Sequence, residues 1–261
     1  MKITVCGAAG RMGQAIVSIA KIDSDIQIAG ALEYDGSKAI GTGCPVITSV
    51  NNLERFLAEA DVVIDFTNPE SALKNLETAK KYNTPFVVGT TGFSEDQRKK
   101  IAEISNSIPV VFSPNMSVGV NILFKLVEVV AKKIPDYDIE IVELHHNKKK
   151  DSPSGTAVKL SEVAASSIGK NIDDIGVYDR HSLDAVRKKD EIGVLSVRAG
   201  DIVGEHTVYF AGPGERIELT HRAHSRDTFA RGAVRAAGWV KGEKPGLYDM
   251  LDVLNLKQRI M

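Results

Sequence analysis

The order of elements at the N-terminus constrains the fold of this chain more than any other feature. Residues 3–6 (ITVC) are apolar enough for a strand buried on both faces, and Gly7 follows at once. The segment from Gly7 to Gly13 (GAAGRMG) then leads into apolar residues spaced three or four apart, which predicts a helix. A strand, a glycine turn and a helix in this order are typical of the start of a parallel sheet that binds a dinucleotide.

An acidic residue stands at the distance from this turn where an adenosine ribose is bound. Residues 26–32 are predicted as a second strand, and Glu33 falls twenty residues after Gly13. A carboxylate there can accept hydrogen bonds from ribose hydroxyls. The glycine spacing is GxxGxxG and not the commoner GxGxxG, so a tight turn without a ligand is the alternative. The acid at the right distance favours a nucleotide site.

The same alternation continues to residue 112. Strands are predicted at 62–66, 85–88 and 109–112, with helices beginning near Pro69 and after Ser94. This alternation predicts a doubly wound parallel sheet, whose ligands bind beyond the carboxyl ends of the strands. We therefore expect the loops at Gly7, Gly89 and Ser113 to share one crevice.

The pattern changes after Ser113. A long apolar helix is predicted at 120–134, and strands then dominate at 139–145, 193–198, 205–210 and 216–220, with a single helix from near Ser154 to before Gly169. The predicted fold class is α/β, a Rossmann-type doubly wound parallel sheet in residues 1–116 and 227–261. Residues 117–226 are predicted to form an α+β domain with a mixed or antiparallel sheet. The polar stretch 171–191 is interpreted as a solvated excursion, with a mobile loop over the site as the alternative.

Composition excludes several classes of protein. The formal net charge of −1 does not favour a general nucleic-acid or membrane-surface binder, so any anion site must be local. Only Cys6 and Cys44 occur, without CxxC spacing, and no run of about 18 apolar residues is present. We expect a cytoplasmic protein with no nucleic-acid or membrane partner.

The segment 143–156 (ELHHNKKKDSPSGT) is dense in groups that transfer protons or bind anions. If a strand ends here, His145 shares a face with Glu143 while His146 lies on the other, so the two imidazoles need not do the same task. Like charges beside Lys149 make its ammonium easier to deprotonate, which suits a general acid. Spacing alone does not choose among the three lysines, and three solvated lysines are the alternative.

A helix predicted to begin at Ser154, Gly155 and Thr156 offers unpaired N–H groups to a carboxylate or phosphate. The segment therefore describes a pocket for a small dicarboxylate or phosphorylated metabolite, and opposite a dinucleotide it implies hydride transfer. No third metal ligand lies at a recognisable spacing, because the other histidines are scattered, so no metal site is predicted.

Six blocks in this order resemble the 4-hydroxy-tetrahydrodipicolinate reductase (dihydrodipicolinate reductase) family, over essentially the whole chain. The blocks are GAAGRMG, FVVGTTGF, SPNMSVGVN, ELHHNKKKDSPSGTA, VRAGDIVGEHTV and HRAHSR. The resemblance implies an NADH- or NADPH-dependent reductase that acts on a cyclic dicarboxylate in diaminopimelate and lysine biosynthesis. It also implies a cytoplasmic homotetramer assembled through the sheet of the second domain.

The resemblance also implies roles for individual residues. His145 and Lys149 match the family's proton-transfer pair, with Lys149 as the donor, and His146, Gly155 and Thr156 match its substrate contacts. The positions that match its cofactor loops are Gly7, Ala8, Ala9, Gly10, Arg11, Met12, Glu33, Gly89, Thr90, Thr91, Ser113, Pro114, Asn115 and Met116.

Two departures from the family pattern bear on these expectations. Glu33 is followed by Tyr34 and Asp35, where members that favour NADPH tend to carry arginine, so we expect NADH or dual use unless Lys38 or Arg11 compensates. The stretch 179–191 lacks the family's glycines although Arg187 remains, which puts a loop-closure role in doubt.

Two other functions remain open. Another reductase of small dicarboxylates, such as an aspartate dehydrogenase, would explain the N-terminal half but not the HHNKKKDSPSGT block. A non-catalytic dinucleotide sensor would require the site groups to be incomplete.

Overall fold

The computed structural model describes residues 1–182 and 184–257, which fall into two compact units. One unit contains Met1–Val118 and the segment that begins at Arg226, and the other extends from Gly119 to Ser225. Residues 258–261, which the sequence assigns to the first domain, lie outside the described residues. No described helix combines the length and apolarity needed to cross a bilayer.

The first unit is built on a seven-stranded parallel sheet. Its strands are β1 (Lys2–Cys6), β2 (Gln27–Glu33), β3 (Ile47–Ser49), β4 (Val62–Asp65), β5 (Phe86–Val88), β6 (Pro109–Phe112) and β12 (Gly246–Tyr248). They are arranged in the order β12-β6-β5-β4-β1-β2-β3. Strands β2 and β3 lie on one side of β1. The chain then crosses to the other side of β1, where β4, β5, β6 and β12 follow in order. The predicted Rossmann-type, doubly wound sheet is confirmed.

Helices cover both faces of this sheet because neighbouring strand residues point to opposite sides. The helices are α1 (Arg11–Ile22), α2 (Leu53–Leu57), α3 (Pro69–Lys81), α4 (Glu95–Ser105), α8 (Asp227–Val240) and α9 (Met250–Val253). In β4, Val62 and Ile64 pack with α1 and α8, whereas Val63 packs with α3 and α4. Such burial from both sides explains why Val62, Val63 and Ile64 are all apolar.

Sequence signals fix where two of these helices begin. Asn68 caps α3 by accepting from Ser71 N, and Pro69 occupies the first turn. Ser94 and Gln97 form the predicted capping box at the start of α4. Because β4 and β5 are parallel, both helices begin at the same edge of the sheet.

The second unit contains a five-stranded mixed sheet, which confirms the predicted α+β architecture. Its strands are β7 (Asp138–His145), β8 (Gly176–Val177), β9 (Ile192–Arg198), β10 (Gly204–Gly212) and β11 (Glu215–Ala223), in the order β11-β10-β7-β9-β8. The central strand β7 runs antiparallel to β10 and parallel to β9. Helices α5 (Val118–Lys133) and α6 (Gly155–Ser167) pack on its buried residues Ile139 and Ile141.

The interpretation of residues 171–191 as a solvated excursion was wrong in part. Helix α7 (Ile172–Ile175) and the edge strand β8 form its first third, so α6 is not the only helix of this region. Arg180 then binds Glu140 and Glu191 at 2.7 and 2.9 Å. The polar composition reflects ion pairs with the sheet as well as solvation, and residue 183 of this stretch lies outside the described residues.

Candidate active site

The turn after β1 contains three glycines. Packing requires two of them, and the third leaves room for a ligand. Gly7 has φ +79°, and a Cβ there would lie 2.5 Å from the carbonyl oxygen of Phe66. A Cβ on Gly13 would lie 2.1 Å from the carbonyl oxygen of Gly7. A Cβ on Gly10 would be 3.2 Å from that same oxygen, which a small shift relieves. Gly10 is therefore the glycine that the fold itself needs least.

One cavity of about 470 Å³ is lined by all three of the loops that were predicted to share a crevice. The lining residues from the predicted set are Gly10, Arg11, Met12, Gly89, Thr90, Thr91, Ser113, Pro114, Asn115 and Met116. Helix α1 begins at this cavity, and no side chain caps its N-terminus. Its first-turn N–H groups are thus available to an anion.

Glu33 lies in an adjoining cavity of about 280 Å³ together with Gly7 and Gly10. Its carboxylate accepts from Ala9 N at 3.0 Å and from Tyr34 N at 3.1 Å, which fixes the side chain beside the glycine turn. The two predicted residues Ala8 and Ala9 line neither of these cavities. They line a separate one of about 350 Å³ next to Cys44.

Sequence reasoning missed the loop after β4, which lines both cavities. Phe66 and Thr67 belong to each, and Asn68, Ser71 and Asn75 contribute to the Glu33 cavity. The available signal was the position of this loop at the carboxyl end of a strand next to β1. In the sequence, these residues carry only the signals of a helix start.

Asp65, at the end of β4, joins two of these loops. It is fully buried, and its Oδ1 accepts from the Thr67 hydroxyl at 2.7 Å and from the Thr90 hydroxyl at 3.0 Å. Oδ2 accepts from Asn75 Nδ2 at 2.8 Å. Burial raises the pKa of Asp65, although the hydrogen bonds from Asn75 and Thr67 oppose the rise.

Together these features fit a dinucleotide. An uncapped helix N-terminus and an uncrowded glycine suit a pyrophosphate, and a fixed carboxylate in the adjoining cavity suits a ribose. A mononucleotide would leave one of the two adjoining cavities unused.

In the second unit, strand pairing places Glu143 at the centre of a buried polar group. Glu143 lies opposite His206 on β10 and Ser196 on β9, and His145 lies opposite Arg198. The fully buried Glu143 carboxylate contacts His145 Nδ1 at 2.5 Å. As the alternation of the strand predicted, His145 and Glu143 share a face.

Arg198 holds the same carboxylate with both guanidinium nitrogens. Its Nη1 and Nη2 donate to Oε2 and Oε1 of Glu143 at 2.9 and 2.8 Å, and Ser154 N donates to Oε1 at 3.0 Å. Burial by itself raises the pKa of Glu143, but hydrogen bonds from His145 and Arg198 outweigh burial and lower the pKa well below its ordinary value. Glu143 is therefore a carboxylate at neutral pH.

His206 stands beside His145 in this group. Their rings meet edge to face with centroids 5.2 Å apart, and His206 Nε2 lies 3.1 Å from the Ser154 hydroxyl. Burial, followed by the neighbouring His145, lowers the pKa of His206 to about 3. His206 is thus a neutral imidazole at physiological pH.

Lys149 has a partner that sequence reasoning did not consider. A turn in which Lys149 N donates to His146 O orients the lysine, and its Nζ lies 2.9 Å from Asp151 Oδ1. The Lys149 side chain is 21 % exposed, whereas Lys148 and Lys150 are exposed residues. The structure thus distinguishes among the three lysines where spacing alone could not.

Helix α6 begins at Gly155, a few residues after Lys149. Ser154 caps the helix by accepting from Ala157 N at 3.2 Å. A Cβ on Gly155 would meet no atom within 4 Å, so the space beside this backbone is open. His146 is half-buried just after β7. A short segment therefore carries His145, His146, Lys149 and the start of α6 within one unit.

Several residues of this second group were not predicted as site residues. Glu143 had a signal in the sequence, because it lies two residues before His145 on the same strand. Arg198 and His206 had none that spacing could reveal, because their proximity depends on the pairing of β9 and β10 with β7.

The family comparison covers nearly all of the chain. The N-terminal and C-terminal sequence models of dihydrodipicolinate reductase match residues 1–116 and 119–254. Proteins named 4-hydroxy-tetrahydrodipicolinate reductase from Syntrophotalea carbinolica and Trichlorobacter lovleyi are each 51% identical over 266 residues, covering 98% of this chain and 100% of theirs.

A solved structure shows the same fold. The dipicolinate-bound dihydrodipicolinate reductase from Paenisporosarcina sp. TG-14 matches with a TM-score of 0.78 and 23% identity, covering 97% of this chain and 98% of that one. By its matching family models and its full-length relatives, this chain belongs to the dihydrodipicolinate reductase family.

Proposed function

We propose that the first unit of this chain holds a nicotinamide dinucleotide and that the second holds a cyclic dicarboxylate for reduction. The chain is an oxidoreductase that converts 4-hydroxy-tetrahydrodipicolinate to tetrahydrodipicolinate in diaminopimelate and lysine biosynthesis. The observation that carries this function is the 51% identity to reductases of that name along 98% of the chain.

In the first unit, Gly10 and the uncapped start of α1 bind the pyrophosphate, and Glu33 binds the adenosine ribose. Loops 89–91 and 113–116 line the larger cavity and position the nicotinamide. The bound cofactor supplies the hydride. Asp65 holds Thr67 and Thr90 in place at this cavity.

In the second unit, Gly155 and Thr156 at the start of α6 bind a substrate carboxylate, and His146 contacts the substrate. Replacement of a hydroxyl by a hydride consumes a proton and releases water. Lys149 supplies that proton, and His145 orients the substrate or buffers charge. The support for these roles is the placement of all five residues in one short segment, with open space beside the backbone of Gly155 at the start of α6.

We further propose that NADH is used at least as well as NADPH. The Glu33 carboxylate lines the ribose cavity, where it repels a 2′-phosphate. Arg11 lines the other cavity, and Lys38 is not among the described residues that line either one. Neither cation lines the Glu33 cavity itself.

A cytoplasmic homotetramer is also proposed. The face of the second sheet away from α6 carries Val142, Leu144, Leu195 and Val197, none of them buried in the single chain. Such a face is suited to association with another copy. Light scattering after size-exclusion chromatography gives the mass directly, and a monomer would exclude the tetramer.

The function is tested by mixing the protein with pyruvate-derived 4-hydroxy-tetrahydrodipicolinate, generated in the cuvette, and following the oxidation of NADH and of NADPH. We expect oxidation only when the substrate precursor is present. Parallel reactions with oxaloacetate and ammonia test the aspartate dehydrogenase alternative, and activity with those alone would overturn the substrate assignment. A protein that binds NADH without turnover of any substrate would be a sensor.

The cofactor preference has its own test. Glu33→Gln keeps a hydrogen-bond acceptor for the ribose and removes the charge. Removing one repulsive charge is worth about 1 kcal/mol, so kcat/KM with NADPH should rise roughly fivefold relative to NADH. An unchanged ratio would mean that Glu33 does not set the preference.

A further inference from the structure

Glu143 is a fully buried carboxylate of the second unit, and it accepts several hydrogen bonds. Its two oxygens receive Nη1 and Nη2 of Arg198, the N–H of Ser154 and a contact from His145 Nδ1. These donors come from β9, from the turn before α6 and from β7 itself. Such a carboxylate cannot rotate away from His145 without breaking three other hydrogen bonds.

The ionised state of Glu143 decides which nitrogen of His145 carries hydrogen. A carboxylate accepts and does not donate, so a 2.5 Å contact with His145 Nδ1 requires hydrogen on Nδ1. In a neutral imidazole, the proton position on one nitrogen is set by the hydrogen bond of the other. The lone pair of His145 must then lie on Nε2.

The surroundings of Nε2 agree with a nitrogen kept accessible. A Cβ on Gly204 would lie 3.0 Å from Nε2, so a glycine at that position in β10 leaves this side of the ring uncrowded. Nε2 makes no hydrogen bond to any of residues 1–182 and 184–257, and the His145 side chain is 11 % exposed to solvent.

Charged and titratable groups face His145 from every neighbouring strand. Glu143 shares β7 with it, Arg198 lies on β9 and His206 on β10, and Lys149 with its partner Asp151 follows β7. His206 is neutral, so it adds no charge against an imidazolium on His145. Glu143 provides the anion in direct contact with the ring.

We propose that Glu143, held by Arg198, is a positioning residue that fixes His145 in the Nδ1–H tautomer and leaves the lone pair on Nε2, the nitrogen through which His145 orients the substrate or buffers charge. This inference rests on the proposed role of His145. Glu143 does not touch the substrate in this scheme. It acts by orienting the ring and, when His145 buffers charge by taking a proton from solvent on Nε2, by stabilising the imidazolium.

The test uses the full-length protein labelled with [15N]histidine. Long-range 1H–15N spectra distinguish the two tautomers, and the His145 signal is identified by its loss in His145→Gln. We expect Nδ1–H in the wild type. In Glu143→Gln the acceptor is no longer obligatory, so the Nε2–H tautomer should appear.

Kinetics provide the second readout. In Glu143→Gln we expect kcat to fall on the order of 10²-fold, because a misoriented acid–base group loses most of its contribution, with KM values for both substrates changed less than about threefold. Glu140→Gln is the matched control. Glu140 lies on the opposite face of β7 and pairs with Arg180 at 2.7 Å, so its loss removes a partly buried carboxylate from the same strand without touching His145.

A second variant guards against misfolding, because Glu143→Gln leaves Arg198 without its charge partner. Glu143→Met combined with Arg198→Met removes the whole pair, and such replacements are often neutral for stability. The double variant should fold and show the Nε2–H tautomer with the same loss of kcat. Retention of Nδ1–H, or of wild-type kcat, in either folded variant would overturn the inference.

The tautomer is read without substrate, so the two proposals fail separately. If the wild type lacks reductase activity but Glu143→Gln still changes the tautomer, the proposed function is overturned and the positioning role stands. An active wild type whose variants keep both tautomer and kcat would overturn the positioning role alone.

Discussion

Lys149 Nζ lies 2.9 Å from Asp151 Oδ1, so the proposed proton donor is ion-paired within its own loop. Burial raises the pKa of Asp151, but the hydrogen bond from Lys149, a backbone hydrogen bond and the charges of Lys149 and Arg198 together lower the pKa below its ordinary value. The acid is 59 % exposed, and such pairs contribute little to stability. The pair orients the ammonium and is weak enough to yield to a substrate carboxylate.

Lys149→Ala should therefore bind NADH as the wild type does and lose kcat by on the order of 10²- to 10⁴-fold, the usual contribution of a general acid. Fluorescence titration of NADH and steady-state kinetics measure the two quantities. Lys159→Ala is the control, because it removes a half-buried lysine of the same unit that pairs with Glu162. Wild-type kcat in Lys149→Ala would exclude Lys149 as the donor.

Asp151→Asn separates the ion pair from the proton transfer. Because an exposed pair is worth at most about 1 kcal/mol, kcat/KM should change less than about fivefold. A loss as large as that of Lys149→Ala would instead make Asp151 an essential part of the donor.

Gly10→Ala should impair cofactor binding without unfolding the protein. The added Cβ meets only the Gly7 carbonyl at 3.2 Å, so Tm should stay within about 2 °C of the wild type. The Kd of NADH should rise about tenfold because the methyl group obstructs close approach of the pyrophosphate. Isothermal titration calorimetry and thermal unfolding measure the two effects.

Gly13→Ala is the comparison variant, since its Cβ would lie 2.1 Å from the same carbonyl oxygen. We expect it to cost about 1–3 kcal/mol of folding free energy. Equal NADH affinity in Gly10→Ala and the wild type would contradict a role for Gly10 in binding the pyrophosphate.

Gly155→Ala should stabilise the fold and weaken binding of the dicarboxylate. The new methyl group enters open space, and the loss of glycine flexibility in the unfolded chain is worth about 0.4–1 kcal/mol. The same methyl group obstructs a carboxylate approaching the start of α6. Competition by dipicolinate against the substrate measures the second effect.

Gly238→Ala provides the matched control for this change. Gly238 is exposed within α8, and its Cβ would also meet nothing within 4 Å. It should raise stability by about as much, up to roughly 1 kcal/mol, without altering dipicolinate inhibition. If Gly155→Ala behaves in the same way as Gly238→Ala, the helix start does not bind the substrate carboxylate.

The free energy of unfolding should decrease as the pH is lowered from 6.5 to about 3, in part because His206 is buried in its neutral form. The unfolded chain takes up a proton on this histidine below pH 6.5, whereas the folded chain does not until about pH 3. The unfolded state therefore binds more protons in this window, and folding free energy is lost as pH falls, by at most about 1.4 kcal/mol per pH unit.

His206→Phe should flatten this slope when urea unfolding is followed from pH 6.5 to 4.5. Above pH 4.5, the ordinary value for glutamate, Glu143 adds little to the slope, and its own loss of stability begins as pH falls below that value. His221 contributes with the same sign, since burial lowers its pKa too, so part of the slope should remain. An unchanged slope in His206→Phe would contradict the neutral assignment.

Local patterns were enough to predict most elements of the fold. The run 62–64 is apolar on both faces because helices cover both sides of β4, and Ser94 with Gln97 marks the start of α4 through a bond between near neighbours. The edge strand β8 was missed because two residues of a polar stretch pair with β9 only through sheet formation.

The sequence by itself determined the family, the strand–turn–helix at Gly7 and the shared face of Glu143 and His145, because each depends on residues close together in the chain. Tertiary structure alone brought Arg198 from β9 and His206 from β10 to that pair, and Thr67 and Thr90 to Asp65. Strand pairing decides such proximities, and no local spacing encodes it. For the same reason, the contact through which Arg198 holds the Glu143 carboxylate beside His145 became visible only in the folded chain.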